Sequence, residues 1–187
     1  MPTSAPHALV VLLDSIDKLG RFGGAVAALA LAILTLIILA EIVTRLLSNY
    51  IEGMPAGVPM AWEYSSYLMG TAFMAGAAMT LRAGSHIRVN ILLTNVPAAG
   101  RRLLETLAST IGLGLTSFLA YSLVMFTWGS FVRGQTSISS DTPVWIPEAA
   151  ITVGAILLAL QMLARLLQSL WGLAVEDPTL RTSIDNE

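Results

Sequence analysis

The 187 residues contain no cysteine and only two histidines, His7 and His86, far apart in the chain. The first absence removes disulfides, thiolate metal sites, CxxC redox chemistry and a cysteine nucleophile. The second leaves a histidine-built metal site without support. Charge is scarce too: 12% of residues are charged, ten Lys and Arg against twelve Asp and Glu, for a net charge of −2. Soluble domains carry about 25% charged residues, so half that share calls for an apolar solvent. With no basic excess to neutralise phosphates, general nucleic-acid binding is excluded. A Gly-rich phosphate loop and a nucleophile elbow are also missing, so no cofactor site and no enzyme are expected.

What the chain does have is hydrophobic surface: 55% of its residues are apolar and the mean hydropathy is +0.74. Four uncharged windows hold most of it: Phe22–Ala40, Tyr64–Leu81, Thr106–Val132 and Ala149–Ala164. A helix needs roughly 20 residues to cross a hydrocarbon core of about 30 Å. The last window is short, but the chain continues as "LLQSLWGLAV" beyond Arg165, which can snorkel toward head groups and let the helix run on. The expectation is an all-α integral membrane protein of one domain, residues 1–187, with four transmembrane helices at about 22–42, 63–82, 104–132 and 147–171 and a polar tail at 176–187. The first window is too long, and begins too far along the chain, for a cleavable signal peptide.

Positive charge sets the orientation, because Lys and Arg in short loops stay cytoplasmic. With four spans, Lys18, Arg21, Arg82, Arg88, Arg101, Arg102, Arg165 and Arg181 share one side, and only Arg45 and Arg133 the other. Both termini are therefore expected inside. Trp62, Trp128 and Trp145 fall at predicted outer ends and Trp171 at an inner one, as interfacial belts require. The stretch "LRAGSHIRVNILLTNVPAAGRR" (81–102) holds four arginines. They read as a topological anchor among phospholipid head groups or as a site for an anionic substrate or partner. Residues 9–21 carry Leu9, Leu12, Leu13 and Ile16 on one helical face and Asp14, Asp17, Lys18 and Arg21 on the other. This is an N-terminal interfacial amphipathic helix or an inward extension of the first span.

Local signals place the helix ends. Glu63 suits the positive end of the second helix, and Glu148 that of the fourth. Pro97 and Pro147 suit first turns, and Gly84 a left-handed cap. Small residues recur every four positions in three spans: Gly24, Ala28 and Ala32; Ala72, Gly76 and Thr80; Ala108, Gly112, Thr116 and Ala120. Such spacing lets helices approach closely in lipid, within the chain or against a partner. Every acid lies at or beyond a span end, unlike the mid-span ionisable groups of pumps. Glu41 comes closest, and Arg45 four residues later offers it an ion pair.

The run "WEYSSYLMGTAFMAGAAMTLRAGSHIRVNILLTNVP" resembles the small membrane subunit (the four-span, Q-type) of tripartite ATP-independent periplasmic (TRAP) transporters. Glu63, Gly70, Gly76, Arg82, Gly84, His86, Ile87 and Val89 match that family's pattern, and Asn90 stands where an acid is commoner. The later "GQTSISSDTPVWIP" resembles its second outer loop. The resemblance implies a scaffold subunit in the bacterial inner membrane. Its partners would be a large multispan subunit, which carries the substrate and sodium sites and moves as an elevator, and a periplasmic substrate-binding protein. The solute would be an organic acid, such as a dicarboxylate or sialic acid. The segment with Arg82, Gly84, His86, Arg88, Arg101 and Arg102 would anchor the scaffold on the cytoplasmic side. The alternative is a self-sufficient homodimeric small multidrug-type exporter working through Glu41. An unrelated membrane-assembly subunit is a third class, one that leaves the central motif unexplained.

Overall fold

The computed structural model describes residues 6–82 and 98–173. Four helices make up nearly all of it: α1 (His7–Ser48), α2 (Ala61–Arg82), α3 (Ala98–Val132) and α4 (Trp145–Trp171). The one β pairing among the described residues is an isolated bridge between Thr136 and Pro143. α1, α4 and the Leu103–Val132 part of α3 are long and apolar enough to cross a membrane. α2, at 22 residues, is long enough but less apolar, because Glu63, Tyr64, Ser65, Ser66 and Tyr67 fill its first turns and Arg82 its last. It packs on both α1 and α4, so less of it needs a lipid-soluble surface.

α1 is continuous over 42 residues. The amphipathic segment is thus the first part of the long helix, not a separate element lying in the membrane plane. Part of its apolar face is taken by protein: Leu13 and Ile16 are buried against Ala164 of α4, with Leu9 and Leu160 alongside, while Leu12 stays 46% exposed. Its polar face carries an exposed Lys18–Asp14 ion pair at 2.7 Å. α4 starts at Trp145, which puts Pro147 in its first turn, where the missing N–H costs nothing. It ends on Gly172 at φ 68°, with Leu173 N–H donating to the Gln168 carbonyl at 2.9 Å, a left-handed cap that glycine adopts freely. Pro97 and the tail from 174 onward lie outside the described residues.

α1, α2 and α4 pack on one another, and α3 packs chiefly on α4. Small residues set these distances. A Cβ placed on Gly154 of α4 would lie 2.7 Å from the Met74 carbonyl carbon and 2.8 Å from Ala75 N. One on Gly23 of α1 would lie 2.9 Å from the Ala75 carbonyl oxygen. The backbone of α2 at Ala75 is therefore wedged between glycines of two other helices. α3 is tied to α4 by hydroxyl pairs near both ends, Thr106–Ser169 at 2.7 Å and Thr127–Thr152 at 2.9 Å. In lipid such close packing and hydrogen bonding replace the hydrophobic drive. Large apolar side chains such as Phe22, Leu29, Leu36, Leu115 and Phe118 point outward.

Candidate functional site

The two ends of the bundle hold its polar groups. At the end where α2 finishes, the Arg82 Nη2 group lies 2.6 Å from Asp17 Oδ2 of α1, with the two side chains only 17% and 12% exposed. One turn away Gln161, itself buried, donates from Nε2 to the Ile16 carbonyl at 3.1 Å. Its side chain fills the space left by Gly20. Expected among lipid head groups, Arg82 instead clasps α1 to α2. An ion pair this far from water is costly to break from one side only.

At the opposite end lie the two connections 49–60 and 133–144, and each is pinned by a carboxylate from a helix. Glu41 Oε1 accepts from Arg45 Nη2 at 2.6 Å, the expected pair. Glu41 Oε2 accepts from the Val58 backbone N–H at 2.6 Å and so holds the first connection to α1. Gly57 allows the approach, since a Cβ there would meet Glu41 Oε1 at 2.8 Å. Both oxygens of the residue on which the exporter alternative rests are thus engaged in structural contacts.

Glu63, in the first turn of α2, does the same for the second connection. Tyr67 Oη donates to Glu63 Oε1 at 2.6 Å, and Ser140 Oγ donates to the same oxygen at 3.0 Å. Thr142 Oγ1 lies 2.8 Å from Ser140 Oγ and 2.9 Å from Tyr64 Oη. The connection is a tight hairpin, with Ser137 N–H donating to the Thr142 carbonyl at 2.9 Å and Val144 N–H to Gln135 at 3.1 Å. Gly134 and Asp141 take positive φ, 59° and 53°, which glycine and aspartate tolerate at turns. Below it Phe131 packs between Trp128 and Trp145, with centroid distances of 5.8 and 5.4 Å. Tyr50, Trp62 and Ile138, at 81%, 89% and 104% exposure, project from this end.

Sequence reasoning placed Glu63 at a helix end but missed its role as a latch. The readable signal was a tyrosine four residues on, together with the Ser/Thr run at 136–142. Of the other motif residues, Gly84, His86 and Arg88 lie outside the described residues, as do the side chains of Arg101 and Arg102 in the first turns of α3. Among the small residues, Ala72 and Ala120 are buried, and Gly76 sits 3.3 Å, measured from an added Cβ, from Ala27. Gly24 packs on Met79 and Gly112 on Met162. Thr80 and Thr116 turn their hydroxyls back to the carbonyls of Ala77 and Gly112. Ala28, Ala32 and Ala108 are exposed.

The arrangement offers two shaped ends and closely packed helices between them. Comparison with known proteins agrees with a permease component. Residues 34–171 match the family described as tripartite ATP-independent periplasmic transporters, DctQ component. A curated relative, the C4-dicarboxylate TRAP transporter small permease protein DctQ of Rhodobacter capsulatus, is 27% identical over 109 residues, 57% of this chain and 48% of the relative. The matched region thus spans about half the length of that relative. No solved structure matches.

Proposed function

The chain belongs to the DctQ-component family of tripartite ATP-independent periplasmic transporters, and we propose that it is the scaffold subunit of a sodium-driven importer. It pairs with a large multispan subunit that carries the substrate and sodium sites, and it receives solute from a periplasmic substrate-binding protein. The solute is an organic acid, of which the C4-dicarboxylate in the relative's name is one candidate class. In this reading all four helices span the bacterial inner membrane, both termini are cytoplasmic, and Gly84, His86, Arg88, Arg101 and Arg102 belong to the cytoplasmic anchor.

The observation that carries the reading is where the carboxylates go. Glu41 and Glu63 are spent on holding connections in place, and Asp17 on joining two helices. A subunit that moved an ion itself would need such a group free within a span; one that presents fixed surfaces needs them tied. Pull-down of the tagged full chain from its native membrane in mild detergent, with mass spectrometry of what co-elutes, tests this. A multispan partner several times larger is expected, together with solute uptake only when that partner is present. Uptake by the isolated chain in liposomes, or recovery of a homodimer alone, would refute it.

A further inference from the structure

Between α1 and α2, at the end with the two connections, runs an open groove of about 670 Å³. That volume lies within the roughly 300–1,000 Å³ of small-molecule sites. Its walls are chiefly apolar, from Ile38 and Ile42 up to Leu46 and Trp62, and its polar content is the Glu41–Arg45 pair with Asn49 and Ser65. Trp62 is 89% exposed on its rim, the position of an interfacial aromatic. The geometry points to a bound phospholipid of the adjoining leaflet, specifically one whose zwitterionic head group ends in a primary ammonium.

The charges select that class. Arg45 is 70% exposed and gives Nη2 to Glu41, which leaves other donors of its fork for a lipid phosphate. Glu41 is 25% exposed, and each of its oxygens keeps a lone pair beyond the bond it accepts, enough for an ammonium. A phosphate and an ammonium held a few atoms apart therefore mirror the guanidinium and carboxylate. A quaternary ammonium has no N–H to give Glu41. An anionic head group would bring negative charge to the carboxylate with no cation to offset it. The acyl chains would lie along Ile38 and Ile42, which are 45% and 56% exposed and line this groove among the described residues. The inference rests on α1 lying in a bilayer and not on transport.

The test is native mass spectrometry of the delipidated full chain, titrated with phosphatidylethanolamine, phosphatidylcholine and phosphatidylglycerol of identical acyl chains. Ethanolamine lipid should be retained about fivefold better than either, the size of one exposed charge contact. Glu41→Gln should erase the preference, and Arg45→Gln should lower retention of all three lipids. Ile42→Trp, which fills the groove and spares the ion pair, should abolish retention without lowering thermal stability. Equal retention of the three lipids would overturn the proposal, as would unchanged retention in Ile42→Trp. So would loss of the large subunit from Ile42→Trp when the wild-type chain shows no lipid preference, since the groove would then be a subunit contact.

Discussion

Replacing Gly154 by alanine adds one methyl group where α4 passes close over the backbone of α2. The new Cβ would stand 2.7 Å from the Met74 carbonyl carbon, whereas carbon atoms rest at about 3.5–4.0 Å. α2 and α4 would have to part locally by about 0.8 Å to restore that distance. The obvious relief, moving α2 away from α4, is closed by α1, where Gly23 already meets the Ala75 carbonyl oxygen at 2.9 Å from its would-be Cβ. Overpacking of a tight core costs about 1–3 kcal/mol, and with no free direction the upper half of that range applies. For a chain of this size about 2–3 kcal/mol corresponds to a fall of roughly 4–12 °C in melting temperature. Gly114→Ala is the control: nothing lies within 4 Å of its added Cβ, and helix propensity favours alanine by about 0.5–1 kcal/mol. The assay is thermal unfolding in detergent, followed by fluorescence-detected size exclusion. If Gly154→Ala melted with Gly114→Ala, the wedge at Ala75 would not be what spaces these helices.

Asp17→Asn and Arg82→Gln should each destabilise the protein by about 2–4 kcal/mol, somewhat below a fully buried pair, and the double variant should lose less than the sum by at least about 1 kcal/mol. Strict additivity in that cycle would mean the two groups do not act on one another. Glu63→Gln should raise hydrogen exchange several-fold in backbone amides of 135–144 and leave 49–60 unchanged, while Glu41→Gln should do the reverse; both variants loosening both connections would show that the latches are not independent.

The helices were legible because lipid imposes a simple rule on composition: each long uncharged run became one, and tryptophans stand near the ends of three of them. What one helix does to another was less so. In α1 the small residues run "GGAVAALALA", and counting by fours picked Gly24, Ala28 and Ala32. Gly24 does meet Met79, but the buried face is Gly20, Gly23, Ala27 and Ala30, turned by one position, because an alanine-rich helix has small residues on several sides. The Asp17–Arg82 clasp joins residues 65 positions apart, and no local pattern announces such a pair. Glu63 was placed by the helix-end argument, but its partner loop comes to it only through the α2–α4 contact that brings residue 140 overhead.

The length of α1 sets a boundary condition on the whole subunit. At 1.5 Å per residue its 42 residues measure about 63 Å, and even a tilt of 40° leaves about 48 Å along the membrane normal, against about 30 Å of hydrocarbon. For an α1 that spans the bilayer as proposed, tilting cannot absorb the surplus, and at least about 18 Å of its height stands clear of the acyl chains. The charged residues Asp14, Asp17, Lys18 and Arg21 mark that surplus as the N-terminal part. Because Leu13 and Ile16 are packed on Ala164 of α4, the overhang is braced. Whatever approaches the membrane on that side meets a stiff two-helix post rising from the surface.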